Sequence, residues 1–293
     1  MKRAGFATKW LPITLLLPQL IIIAVFFYWP AAHAIHSSLY LQDPFGFGST
    51  FVGAENYSDL AGNSEYRRIA WFTVVFTILV TFFSLAIALL LAVKADKVIR
   101  GARSYRTLLM WVYAVAPPVA GFIGLIMFNQ SWGPLTRFFQ SLGWDFKLGV
   151  NYMDTATAMV IVSVWKQIPV NFIFFLSGLQ SIPRSVREAA LIDNRSASGR
   201  FWDVTFPLLA PTAFFLLIIN ITYSLFETFG VIDTLVKGEP GNNPMTLVYK
   251  VYVDGFRGND MGGSSAQSVV LMVLVLALTV FQFRLVERRI HYT

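Results

Sequence analysis

Two groups of residues in this 293-residue sequence have types and spacings suited to chemistry. The first is polar and set among apolar neighbours. Lys166 is the one charge in the run 155–183, and Gln167 and Asn171, four apart, share a helical face. Asn220, Tyr223 and Glu227 share another, by steps of three and four. A charge at a bilayer centre costs about 2.5–3.5 kcal/mol on insertion scales, so Lys166 and Glu227 are expected to face protein or water. Lys166 suits an anionic phosphate. The plainer readings are a pairing with Glu227 or with a partner's carboxylate, or snorkelling to an interface. Glu227 would repel a phosphate and fits better as a lysine partner or loop anchor. Together the six residues outline a polar pathway between two helices.

The second group is Glu188, Ala189, Ala190, Asp193 and Asn194, from the stretch "EAALIDN". Pro183 suits a first helical turn, and Ser185 with Glu188 fits the S-x-x-E capping box. The spacing predicts a helix through Ile192, ended by Asn194, which tolerates a left-handed conformation. A second short helix over "SASGRFWDVTF" then leads to Pro207. The two alanines let another surface approach closely. Leu191 and Ile192 add apolar contact, and Glu188 and Asp193 offer charge to a partner's cations. The plainer reading is an amphipathic connector lying in lipid headgroups. Such helices usually set Lys and Arg beside Trp, Phe and Leu, whereas this one centres on acid and alanine.

Several chemistries are excluded or disfavoured. There is no cysteine, hence no disulfide, Cys-ligated zinc or Cys nucleophile. His33 and His36 lack an acidic cluster and read as interfacial, so no metal site is expected. No phosphate-binding G-x-x-x-x-G-K-[ST] loop occurs, nor any Gly-Lys pair, so the chain is not an ATPase. No catalytic constellation and no cofactor of its own are expected. A membrane enzyme is correspondingly disfavoured.

The elements that must position these residues follow from composition. The chain is 56% hydrophobic and 13% charged, with mean hydropathy +0.59. Soluble domains carry roughly 25% charged residues. The fold class is therefore all-α, a polytopic membrane protein. Spans are predicted near 11–35, 69–94, 107–129, 156–179, 208–232 and 265–286, in one transmembrane domain over 1–293, with a polar loop over 181–206. The run Leu11 to Trp29 exceeds a signal peptide's core of roughly 7–15 residues and is broken by Pro12 and Pro18. It reads as a retained first helix. With the N-terminus inside, fifteen Lys and Arg lie on the inner side and seven outside. Both termini are then cytoplasmic. The net charge of +7 is topological, and nucleic acid is not an expected partner.

"EAALIDN", followed by "FWDVTFPLLAP", resembles the EAA loop of permeases of binding-protein-dependent ABC importers, with Asn194 where that family usually has Gly. "FVGAENY" (Phe51 to Tyr57) and "FETFGVIDTLVKGEP" (Phe226 to Pro240) resemble segments of its sugar-importer class, with Glu239 in place of a second Gly. "DPFGFGSTFVG", "VYAVAPPVAG", "SVWKQIPVNFIFF" and "AQSVVLM" are similar to the branch importing sn-glycerol 3-phosphate, over nearly the whole chain. The resemblance implies a non-catalytic permease of a bacterial inner membrane. It would pair with a second homologous permease, sit on two ATPase subunits that bind ATP and Mg, and take substrate from a periplasmic binding protein. Glu188, Ala189, Ala190, Asp193 and Asn194 would form the ATPase-coupling loop. The substrate would be sn-glycerol 3-phosphate, with glycerophosphodiesters. A neutral sugar, or an ion-coupled secondary transporter with Glu227 as carboxylate relay, are the alternatives.

Overall fold

A computed structural model describes residues 10–43, 48–96, 102–192, 196–236 and 243–287. In chain order, α1 (Trp10–Ile23) passes through a π turn into α2 (Trp29–Ser37), followed by the hairpin β1 (Tyr40–Gln42) and β2 (Ser49–Phe51). Then come α3 (Glu55–Gly62), α4 (Ser64–Asp96), α5 (Ala102–Trp111), α6 (Pro117–Met127), α7 (Pro134–Ser141) and α8 (Tyr152–Ser181). The remainder is α9 (Arg184–Ile192), α10 (Ala197–Arg200), α11 (Phe206–Thr222), α12 (Phe229–Val236), α13 (Leu247–Tyr252) and α14 (Met261–Glu287). Among the described residues five runs are long and apolar enough to cross a membrane, or six if one bent pair counts as a span.

That bent pair corrects the expectation of a continuous third helix over 107–129. Thr107–Ala114 and Pro117–Met127 meet at 106°. The cause is "VAPP". Ala116 precedes a proline and is driven to an extended backbone (φ −63°, ψ 145°). Pro117 and Pro118 then open α6, where a missing N–H costs nothing. The fifth span also differs. It runs from Ala197 to Glu227 rather than 208–232, because α10, a π turn at Phe201–Thr205 and α11 join end to end. The second short helix expected over "SASGRFWDVTF" is thus the first part of this span. The hydroxyl of Ser196 caps its start, accepting from the Gly199 N–H at 3.1 Å.

The chain divides into two compact units. The first holds residues to Ser64 and from Lys250 to Leu278. In it the "FVGAENY" stretch acquires a purpose. Phe51 pairs with Tyr40 in the hairpin, and Gly53 turns the chain at φ +60°. Asn56, buried, donates to the carbonyls of Ser38 (2.8 Å) and Tyr40 (3.2 Å), while the Tyr57 and Ser38 hydroxyls meet at 2.6 Å. The motif fastens the end of the first span. His36 stacks on Tyr40 with ring centroids 4.6 Å apart, and no metal-binding cluster occurs among the described residues.

The second unit, Glu65–Tyr249 with Thr279–Thr293, is built around α8. Of the five runs α8 is the most buried, and Phe172, Phe175, Leu176 and Leu179 pack with Ala88, Ala92 and Ala95 of α4 and Leu209 and Leu216 of α11. Small residues permit the closest approaches. A Cβ on Gly121 of α6 would stand 2.7 Å from Thr234 Cβ of α12, and one on Gly178 2.9 Å from Leu209 Cδ2. The N-terminal end of α8 is fixed by Asp154, whose carboxylate accepts from Trp144 Nε1 (2.9 Å), the Lys147 N–H (2.7 Å) and Asn151 Nδ2 (3.0 Å). Phe128, Phe139 and Phe146 stack beside it. Between α4 and α8 lies an apolar groove of about 1020 Å³, with Trp71, Leu79, Phe83, Val160 and Trp165 in its walls and Arg68 at one end.

Candidate functional site

The helix α9 carries the first candidate group. Ile182, before Pro183, is extended (φ −68°, ψ 122°), and the Pro183 carbonyl accepts the N–H groups of Val186 (3.2 Å) and Arg187 (3.3 Å). The helix therefore starts at Arg184. Ser185 falls inside its first turn, and the capping box expected of Ser185 with Glu188 does not form. Proline fixes the entry two residues too early for it.

Helical periodicity sorts the side chains of α9. Arg187 and Ala190, three apart, turn toward the chain's own body, and Ala190 is buried. Glu188, Ala189, Leu191 and Ile192 are exposed, Ile192 to 83%. The close approach expected of both alanines thus divides: Ala189 is open to a partner, and Ala190 serves contact within this chain. Asp193 and Asn194, with the turn expected at Asn194, lie outside the described residues.

On its inward side α9 is held by Arg187. One guanidinium nitrogen lies 3.0 Å from Asp96 Oδ2, at the last residue of α4, and the other donates to the Leu179 carbonyl of α8. Sequence reading misses this contact, since Arg187 and Asp96 are 91 residues apart.

The polar group of the spans is partly brought together. Asn171 of α8 and Asn220 of α11 exchange amide hydrogen bonds at 2.9 and 2.7 Å. The Ser84 hydroxyl of α4 donates to the same Asn220 oxygen at 2.7 Å, and the Asn220 amide also donates to the Leu216 carbonyl at 2.7 Å. All three residues are fully buried, so each amide has replaced water with protein partners. One turn on, the Tyr223 hydroxyl donates to the Ser163 carbonyl at 3.1 Å. These bonds bind α11 to α8 in apolar surroundings.

Lys166 is placed differently. Its ammonium donates to the Tyr113 carbonyl at 3.3 Å and sits 5.6 Å from the Tyr113 ring centroid. Tyr113 belongs to the 3-10 turn Val112–Ala114, at the break in the third span. The lysine thereby serves a carbonyl near the C-terminal end of a half-helix, where the aligned backbone dipoles favour a cation. The charge of Glu227 reaches Lys166, but the two form no ion pair, and Glu227 is exposed. Gln167 is buried with no side-chain hydrogen bond among the described residues. Ser84, Ser163 and Tyr113 went unremarked in the sequence because hydroxyls and carbonyls in apolar runs carry no signal of their own.

Residues 84–292 match the family described as "Binding-protein-dependent transport system inner membrane component". The chain belongs to that family. Two relatives of such inner-membrane components span its full length. The sn-glycerol-3-phosphate transport system permease protein UgpA of Rhizobium meliloti (strain 1021) is 47% identical over 292 residues, covering 100% of both chains. Its counterpart in Brucella suis biovar 1 (strain 1330) is 48% identical over 295 residues, again covering 100% of both. Among solved structures, a bacterial alginate ABC transporter in complex with an alginate pentasaccharide-bound periplasmic protein has the same fold, with TM-score 0.82, 19% identity, and 96% and 95% of the two chains covered. An integral inner-membrane permease fold thus accounts for the apolar spans and for the exposed helix α9 between two of them.

Proposed function

We propose that the chain is one permease of an ATP-driven importer for sn-glycerol 3-phosphate and related glycerophosphodiesters. The observation that carries this is the identity of nearly half over the full length of relatives with that transport role in their names. A second homologous permease, two ATPase subunits and a periplasmic binding protein complete the machine, and ATP and Mg are bound by the ATPase. The alginate transporter captured with its periplasmic protein supports the last partner by analogy of fold. Both termini face the cytoplasm, in keeping with the fifteen-to-seven distribution of Lys and Arg. This puts α9 on the cytoplasmic side.

In this reading α9 is the coupling helix. Glu188, Ala189, Leu191 and Ile192 meet the ATPase, and Asp193 and Asn194 close the loop. Closure of the ATPase dimer on ATP presses on α9 and rocks the two permeases outward. Hydrolysis lets them return with the substrate released inward. The apolar lining of the groove between α4 and α8 suits a hydrophobic occupant, in this reading a helix of the second permease.

Lys166, Gln167, Asn171, Asn220, Tyr223 and Glu227 form this chain's part of the pathway wall, with divided tasks. Asn171, Asn220 and Tyr223 hold α8 against α11. Lys166 braces the broken third span. Gln167 and Glu227 make no side-chain hydrogen bond or ion pair among the described residues, and the exposed Glu227 adds its charge beside Lys166.

The test is uptake of labelled sn-glycerol 3-phosphate into proteoliposomes. Uptake is expected only when both permeases, the ATPase, the binding protein and ATP are present. Uptake by this chain alone under an ion gradient would make it a secondary carrier. Transport of a neutral sugar in place of the phosphate would overturn the substrate.

A further inference from the structure

Arg187 stands next to Glu188 in sequence and on the opposite side of α9 in space. We infer that Arg187 is the positioning residue through which movement of α9 reaches the ends of two spans at once. The inference rests on α9 being the ATPase-docking helix. Its physical basis is the way α9 is attached. Ser181 ends α8 and Arg184 begins α9, so only Ile182 and Pro183 join them. A force applied to the outer face of this nine-residue helix reaches α8 through that short link, but no adjoining segment of chain carries it to α4.

Arg187 supplies the second attachment. Its planar fork spans Asp96 Oδ2 at 3.0 Å and the Leu179 carbonyl, so one side chain ties α9 to the last residue of α4 and to the last turn of α8. Both spans meet just inside this tie, where Ala92, Ala95, Phe175, Leu176 and Leu179 are buried together. Close-packed interiors yield little, so a displacement at these ends is carried into the helices. The two side chains of the ion pair remain 41% and 17% exposed. A pair so wet adds little to stability. Its placement, across three elements and beside the docking face, is what gives it a role.

The test uses the complete complex in proteoliposomes and reads two quantities, ATPase subunit retained and substrate imported per ATP hydrolysed. Arg187→Ala and Asp96→Asn are each expected to keep the ATPase bound and to lower the import ratio about two- to thirty-fold, the range of couplings of this kind. The double variant should fall no further than Arg187→Ala alone, because Asp96 acts only through Arg187. An unchanged ratio in Arg187→Ala, or additive losses in the double variant, overturns the inference. Loss of the ATPase from Arg187→Ala also overturns it, since Arg187 would then act in docking. Should Arg187→Ala yield no permease pair, Asp96→Asn carries the same outcomes. Failure of the docking reading shows separately: a Glu188→Arg chain would keep its ATPase whatever Arg187 does.

Discussion

At the scale of residues, the polar side chains within the spans act mainly as fasteners. The pair Asn171 and Asn220, with Ser84, gives every amide a partner where water is absent. Asn220→Leu strands the Asn171 amide, while the Ser84 hydroxyl keeps the Thr81 carbonyl, and is expected to destabilise the permease by about 1–2 kcal/mol, toward the modest values typical of membrane helix pairs. The double change Asn171→Leu with Asn220→Leu removes both polar groups and should cost less than the two single losses added. Thermal melting of the purified complex checks both. For Lys166, bonded to the Tyr113 carbonyl, Lys166→Met is expected to slow uptake several-fold at unchanged KM, since a brace shapes the pathway without holding the solute. A raised KM would instead assign the ammonium to the phosphate. The spacing of these polar residues was legible in the sequence. Their partners were not, because Ser84 and Asn220 are 136 residues apart and meet only through the fold.

At the scale of elements, windows with at most one charge match the five long apolar runs and the bent pair among the described residues, since hydrocarbon requires about 20 apolar residues whatever the fold. The break in the third span escaped that argument. Hydropathy counts Val115, Ala116, Pro117 and Pro118 as apolar, whereas backbone geometry makes them a 106° bend. The end of the fifth span was misjudged for a similar reason. Apart from Glu227 the sequence stays uncharged up to Ile232, yet the helix ends at Glu227 and α12 restarts against α6. Helix α9 was read correctly as a helix and wrongly in its cap. The groove between α4 and α8 belongs to this scale too. Val160→Trp keeps the wall apolar while filling the space. It is expected to reduce recovery of the second permease several-fold in co-purification, and equal recovery would leave the groove to lipid.

At the scale of the whole molecule, family membership, fold and membrane residence agree with one another, and the chain contains no phosphate-binding loop with which to use ATP. In the proposed importer its contribution to energy coupling passes through a surface, and α9 is the surface proposed. The absence of cysteine makes that claim directly measurable. Single cysteines at Ala189, on the exposed face, and at Ala190, buried on the inner face, can be treated with a short bifunctional thiol reagent in the assembled complex carrying cysteines in the ATPase groove. Ala189→Cys is expected to cross-link to the ATPase subunit, with a yield that changes when ATP is added, and Ala190→Cys is expected to give no adduct. No cross-link from Ala189→Cys, or equal yields from the two positions, would contradict the account of α9 as the helix that couples this permease to ATP.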